Sequence, residues 1–278
     1  MFQNRKILIA TKHQKEEVIA PLLEQHFGME CSVAYHFDTD SLGTFTGEIE
    51  RKADPLTTLR NKCVNALRGT SFDLVIANEG SFGPHPANYF ITAGDELILL
   101  LDLKNNFEIL ARELTTETNF NARNVRTYQE LLEFSSVVGF PNHCLILRKS
   151  IDDFNEIYKG IGEPEELKNR FNDLLKKYGN VYAETDMRAM YNPTRMKSIE
   201  RGTNQLIESM KSYCPSCKTP GFSVRKSEAG LPCEWCNAPT KSPKNHIKNC
   251  IKCDYEERIP YPNNRKTEDP TYCDFCNP

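Results

Sequence analysis

Eight of the eleven cysteines in this 278-residue chain fall in its last 65 residues, as four pairs: CPSC (Cys214, Cys217), CEWC (Cys233, Cys236), CIKC (Cys250, Cys253) and CDFC (Cys273, Cys276). Two residues between cysteines let both sulfurs face one tetrahedral ion while the backbone turns around it. Fifteen residues separate the first and second pairs and nineteen the third and fourth, spacings of the zinc-ribbon kind. Eight thiolates complete two Cys₄ sites and leave no position for water, so the zinc is expected to be structural. Sequential pairing, first with second and third with fourth, is the favoured reading, because crossed pairing closes loops of more than thirty residues; spacing alone leaves both open. His246, four before Cys250, is read as a bystander. The polar stretch PYPNNRKTEDP has little to bury, so metal is expected to supply the order that a core would otherwise give.

Three further segments gather functional side chains at element ends, where α/β sheets place ligands. Thr11, Lys12 and Lys15 sit where an apolar run meets a helical pattern, which suits an anion at a helix start or a capped helix with solvated lysines. Asn78-Glu79-Gly80-Ser81 ends a strand on a carboxylate that could hold Mg²⁺ or lie in a solvated turn. In ETDMRAMYNPTRM (184–196), Glu184, Asp186 and Arg188 alternate on one strand face, and Arg195 follows near the next helix start. Such charge faces a ligand or pairs internally. Asp38, Asp40, Thr44, Thr46, Glu48 and Arg51 form a loop or hairpin that could overhang the same cleft. Cys31, Cys63 and Cys144 read as small buried hydrophobes.

The elements that must position these residues alternate. KILIA is a strand; Thr11 and Gln14 have capping-box spacing, and Val18, Ile19, Leu22, Leu23 and Phe27 recur at helical intervals. CSVAYHFDTD (31–40) reads as a second strand. Asp54-Pro55 starts a helix, FDLVIAN (72–78) is a strand, and EGSFGPHP (79–86) a turn. DELILLLDLKN and FEILARELTTETNF form an antiparallel pair about Asn105-Asn106. Helices follow from Thr127 to Gly139 and from Pro164 to Gly179, with strands HCLILRK and VYAETDMRA (181–189). A long helix from Asn192-Pro193 leads to the first knuckle. The pattern predicts an α/β, mixed-sheet body with helices packed on it over 1–210 and a tandem Cys₄ zinc-ribbon module over 211–278.

The motifs KILIATKHQKEE, DPLTTLRNKCVNAL and DLVIANEGSFG, in that order over residues 6–110, resemble the inosine/xanthosine triphosphate pyrophosphatase superfamily. That superfamily has a Thr/Ser-x-Asn-x-x-Lys turn after its first strand. Here His13 stands in place of the Asn, and the Lys comes one residue early. The resemblance implies a nucleotide ligand, with Lys15 meeting phosphate, Asn61 lining the cleft and Glu79 ligating Mg²⁺. It also implies attack of water on a nucleoside triphosphate with release of pyrophosphate, the metal neutralising charge. Over its whole length the chain resembles an uncharacterised bacterial family with the ETDMRA…NPTRM stretch and four C-terminal knuckles, which implies no activity.

Bulk charge narrows the partners. The net charge of −3 gives no polyanion-binding field. Residues 212–278 carry ten Lys+Arg and eight Asp+Glu, a balance of +2 that two Zn(Cys)₄ sites bring to about −2. The zinc module is therefore read as a folded cap or protein-docking module in preference to a nucleic-acid binder. Non-enzymatic binding of a small anion is the alternative for the body. No run has the ~20 apolar residues of a membrane span, and MFQNRKILIA does not read as a secretory signal. The expected address is the cytoplasm.

Overall fold

The run Lys6–Ala10 forms β1, buried from Ile7 onward, and the left-handed turn at His13 and Gln14 delivers it into helix α1 (Glu16–Phe27). The computed structural model describes residues 1–44 and 47–278, so Thr46 lies outside the described residues. The chain continues through β2 (Glu30–Val33), α2 (Pro55–Leu67), β3 (Leu74–His85), β4 (Asn88–Asp102) and β5 (Phe107–Thr115). These strands make one sheet in the order β2-β1-β3-β4-β5, with β1 parallel to β2 and β3 and the remaining pairs antiparallel.

Next come β6 (Ala122–Val125), α3 (Tyr128–Val138), β7 (Leu145–Arg148), β8 (Ile157–Ile161), α4 (Pro164–Tyr178), β9 (Val181–Thr185) and α5 (Pro193–Lys211). The second sheet is fully antiparallel, in the order β6-β9-β7-β8. Leu131, Phe134 and Val138 of α3 and Leu167, Phe171 and Leu174 of α4 pack with Leu145, Leu147, Val181 and Ala183 of its strands. On the first sheet, Leu59, Cys63 and Ala66 of α2 meet Leu8, Val75, Ala77 and Leu99. The body is thus mixed α/β, as the alternation predicts.

Four local expectations are corrected. α1 begins at Glu16 with Lys15 as an N-cap that makes no side-chain cap bond, and Thr11 bonds the Lys12 carbonyl instead of capping. EGSFGPHP is not a turn: β3 runs through it to His85, because Gly80, Ser81, Phe82 and Gly83 find partners at Glu96, Asp95, Gly94 and Ala93 of β4. β2 stops at Val33, and Thr39–Leu42 is a 3-10 turn capped by Asp38. β9 ends at Thr185, so Asp186 and Arg188 lie beyond the strand.

The chain divides into compact units at Met1–Leu206 and Ile207–Pro278, the boundary falling within α5. The second unit is a meander of β10 (Ser223–Ala229), β11 (Pro243–Asn249) and β12 (Glu256–Pro260). Among its described residues beyond α5, Phe222, Leu231 and Ile247 are the large apolar side chains that are buried. Three such side chains do not order ~65 residues. Among the described residues, no helix is long and apolar enough to cross a membrane.

Candidate functional site

The sulfurs of Cys214, Cys217, Cys250 and Cys253 lie within 4.8 Å of one another, as do those of Cys233, Cys236, Cys273 and Cys276. A tetrahedral zinc with Zn–S of ~2.3 Å sets its sulfurs ~3.8 Å apart. Cys214–Cys253 at 3.7 Å, Cys217–Cys250 at 3.4 Å, Cys233–Cys276 at 3.9 Å and Cys236–Cys273 at 3.6 Å fit that figure. Each of three knuckles closes with an N–H four residues on bonding the first cysteine's carbonyl: Lys218 to Cys214, Asn237 to Cys233 and Asn277 to Cys273. Lys218 and Asn237 are left-handed, which turns the chain around the space between the four sulfurs.

The pairing is crossed, first with third and second with fourth, which corrects the sequential expectation. Strand direction is the cause. Ser223 opens β10 opposite Asn249 at the close of β11, so the pair before β10 meets the pair after β11. The second pair sits in the β10–β11 connection. The fourth follows β12, whose Pro260 pairs Asn245 at that same far end. Seven residues of β11 at ~3.3 Å each put roughly 20 Å of sheet between the two clusters. His246 lies on β11, between them and outside both.

In the first unit, the end of β1 and the adjoining middle of β3 bring buried charges together. Lys15 donates to Asn78 Oδ1 at 2.6 Å, and Asn78 donates to Glu96. Glu96 accepts from Arg195 Nε at 2.6 Å, and Arg195 also donates to the Met187 carbonyl and lies over the Phe82 ring. Glu79 is held between Lys62 and Arg51. Gly80 permits this packing, since a Cβ there would come within 2.6 Å of both Arg195 Nη2 and Glu96 Oε1. Four cations (Lys15, Arg51, Lys62, Arg195) thus share two carboxylates (Glu79, Glu96). Burial works to raise the Glu79 carboxyl, but Lys62 and Arg51 hold it below the usual range.

Beside this network lies a cleft of about 740 Å³, the size of a small-molecule site. Thr11, Lys12, Asp186 and Arg188 line it, with Tyr35, Phe37, Phe120 and Tyr191 supplying rings. A recess of about 260 Å³ shares Thr44, Phe120 and Met187 with it and reaches Arg51 and Gly80. Carboxylates outnumber cations in the cleft lining, six (Glu16, Asp38, Asp40, Glu48, Glu184, Asp186) to three (Lys12, Lys159, Arg188). Lys12 bonds Asp38 and Asp40, both at 2.9 Å, and His13 reaches Asp40 at 3.5 Å. Burial raises the Asp40 carboxyl, yet bonds from His13 and Lys12 carry it well below its ordinary value. Asp186 accepts from the Gly160 and Arg188 backbone N–H groups and from the Arg188 guanidinium, which covers Tyr191. Glu184 pairs with Arg148 at 2.9 Å, and burial pushes its carboxyl up. His13 and Gln14 both adopt positive φ (70° and 60°), a conformation that costs ~1–3 kcal/mol per non-glycine residue and clusters at functional sites.

The structure therefore sets Thr11, Lys12, Asp186 and Arg188 on the cleft and Lys15, Glu79 and Arg195 in the network. Asn61 is in neither. It is exposed on α2, and the next residue, Lys62, one helical step (~100°) round, turns inward to Glu79. Arg195 is buried against protein partners, so it positions the site and does not face a ligand. Glu79 does not fit as a Mg²⁺ ligand while its two oxygens are held by Arg51 and Lys62. Among the described residues, no metal-sized group of His, Cys, Asp or Glu occurs beyond the two cysteine clusters. Sequence reasoning missed Lys62 and Glu96. Their signals were a lysine on the apolar face of α2, beside Leu59, Cys63 and Ala66, and a carboxylate opening the apolar run of β4.

Lys15 makes the network pH-sensitive. Burial first, then the charges of Arg195 and Lys62, push its ammonium from 10.5 down to about 7. Below about 7 the folded chain carries the buried proton at full cost. Between about 7 and 10.5 the unfolded chain holds a proton that the folded chain does not, so stability rises with pH. The unfolding free energy is expected to rise by more than ~1 kcal/mol from pH 7 to pH 9, and Lys15→Met to flatten that rise. Urea titrations at each pH check it; parallel profiles for the two proteins would refute the assignment.

Against known proteins, the sequence profile described as Domain of unknown function (DUF6671) matches residues 62–278. No curated protein matches the chain.

Proposed function

The chain belongs to the DUF6671 family, a family of unknown function, and we propose that its first unit binds a nucleoside triphosphate and hydrolyses it to the monophosphate and pyrophosphate. The carrying observation is the network of Lys15, Lys62 and Arg51 about Asn78 and Glu79, where β1 ends beside the middle of β3, next to a strained turn and a ligand-sized cleft. The carboxyl end of a parallel strand such as β1 is where α/β sheets bind ligands. The rings of Tyr35, Phe37 and Phe120 suit a base, and the Lys12–Lys15 turn suits phosphate. Water attacks the α-phosphorus, the bond to the bridging oxygen breaks, and pyrophosphate leaves. Glu184, with its carboxyl raised by burial, is the lining residue suited to take the water's proton. The excess of carboxylates in the lining means that a triphosphate enters with its own divalent counter-ion. No protein ligand is assigned to that ion.

A second reading is small-anion recognition without turnover, in which the anion takes the place of the carboxylates that Lys12 and Arg188 now hold. Thermal unfolding with nucleoside triphosphates or pyrophosphate, with and without Mg²⁺, separates the two. A ligand at 100 times its Kd stabilises by ~2.7 kcal/mol, a rise of ~5 °C or more for a unit of this size. That rise with triphosphate and Mg²⁺, with pyrophosphate appearing and both effects lost in Lys12→Ala/Arg188→Ala, is the expected result. Stabilisation without pyrophosphate supports the second reading; no stabilisation by any of these ligands rejects both.

A further inference from the structure

The two ends of the three-stranded sheet are chemically unlike. At the far end, the knuckles hold Glu234-Trp235 and Asp274-Phe275 between their cysteines, so each presents a carboxylate followed by a ring. Trp235 and Phe275 are each 76% exposed, and Tyr272, which precedes Cys273, is 67% exposed. The matching positions at the near end are Pro215-Ser216 and Ile251-Lys252. All four cysteines of the far cluster lie within 4.8 Å of one another, so both acid–ring pairs stand on one metal site.

Charge differs in the same sense. Segments 231–242 and 265–278 carry four acids (Glu234, Glu268, Asp269, Asp274) against three bases (Lys241, Arg265, Lys266), or −1. A zinc ion on four thiolates adds about −2, giving about −3. Segments 211–222 and 248–255 carry four lysines against Asp254, or +3, and the same metal term leaves about +1. A nucleic acid would bring its phosphates against the negative end, where the exposed rings are.

We propose that the far knuckle pair is a docking surface for a basic peptide segment of a partner protein, a Lys or Arg flanked by apolar residues. A cation over an exposed indole or phenyl face is attracted by the ring. Glu234 precedes Trp235 in the same knuckle, and the peptide's apolar neighbours cover rings that otherwise stand in water. The Lys241–Asp274 pair at 2.9 Å is an exposed ion pair of little strength, so Asp274 is free to exchange partners. The proposal is independent of the reading of the cleft.

Trp235 is the chain's single tryptophan, so its emission reports on this surface directly. The zinc-loaded full chain is titrated with a decapeptide of alternating Arg and Leu, one of alternating Glu and Leu, and a ten-nucleotide oligothymidylate. The Arg peptide is expected to give a saturable emission change that weakens as salt rises. Phe275→Ala and Glu234→Lys, each verified to keep two zinc ions, should weaken it by ~10-fold or more. Saturation by the oligonucleotide or the Glu peptide in place of the Arg peptide would overturn the proposal. So would full affinity in both variants, or no change with any probe.

Discussion

Replacing Cys233 and Cys236 by Ser is expected to leave one zinc ion per chain and to make Cys273 and Cys276 reactive to alkylation, while Cys214, Cys217, Cys250 and Cys253 stay protected. The crossed clusters dictate this outcome, because a thiol is shielded only while its own ion holds it. Sequential pairing would instead expose Cys214 and Cys217. Metal analysis with mass-spectrometric mapping of the alkylated cysteines distinguishes the two. The effect is large, since a structural zinc is worth an apparent ~10–16 kcal/mol in small domains. Removing both ions with a chelator should unfold the second unit beyond α5, where the buried Phe222, Leu231 and Ile247 are too few to hold it. A second unit that keeps its β-structure without metal would refute the account.

The second large effect is in the first unit. Glu96→Ala takes the carboxylate away from Arg195, whose side chain has no exposed surface, and from Asn78. Breaking a buried pair on one side costs ~3–5 kcal/mol, because the remaining charge stays out of water without its counter-charge. At ~2–3 kcal/mol per molar urea, the midpoint should fall by ~1–2.5 M. Far-UV circular dichroism is the measurement to use, since the single tryptophan, Trp235, belongs to the other unit. Glu96→Leu with Arg195→Met should recover most of the loss, as apolar replacement of a whole buried pair is close to neutral. A single variant that unfolds at the original midpoint would mean that the pair contributes nothing.

What was legible in the sequence follows the range over which each feature is decided. The knuckles are local: two residues between cysteines set the sulfur geometry whatever surrounds them. The helices from Asp54-Pro55 and Thr127 were equally legible, because caps and first turns act within four residues. Connectivity of the clusters was not, since it depends on which way β11 runs beside β10, a long-range choice. Gly and Pro in EGSFGPHP read as a turn, but the chain there is one arm of a hairpin that β4 completes. At the site, the resemblance placed attention on Asn61, and the inward side chain is Lys62; one residue on a helix decides between solvent and core. Glu79 read as a metal carboxylate because its partners, Lys62 and Arg51, are 17 and 28 residues away in sequence.

The crossed clusters also mean that the loops an ion in each would close overlap. The segment from Cys217 to Cys250 contains Cys233 and Cys236, and the segment from Cys236 to Cys273 contains Cys250 and Cys253. Capture of one ion therefore shortens the search that the other cluster must make, since fewer chain conformations remain to be lost when the second loop closes. Zinc uptake by this unit should be cooperative, with half-loaded molecules scarce at equilibrium, and cells limited in zinc would hold a mixture of full and empty protein.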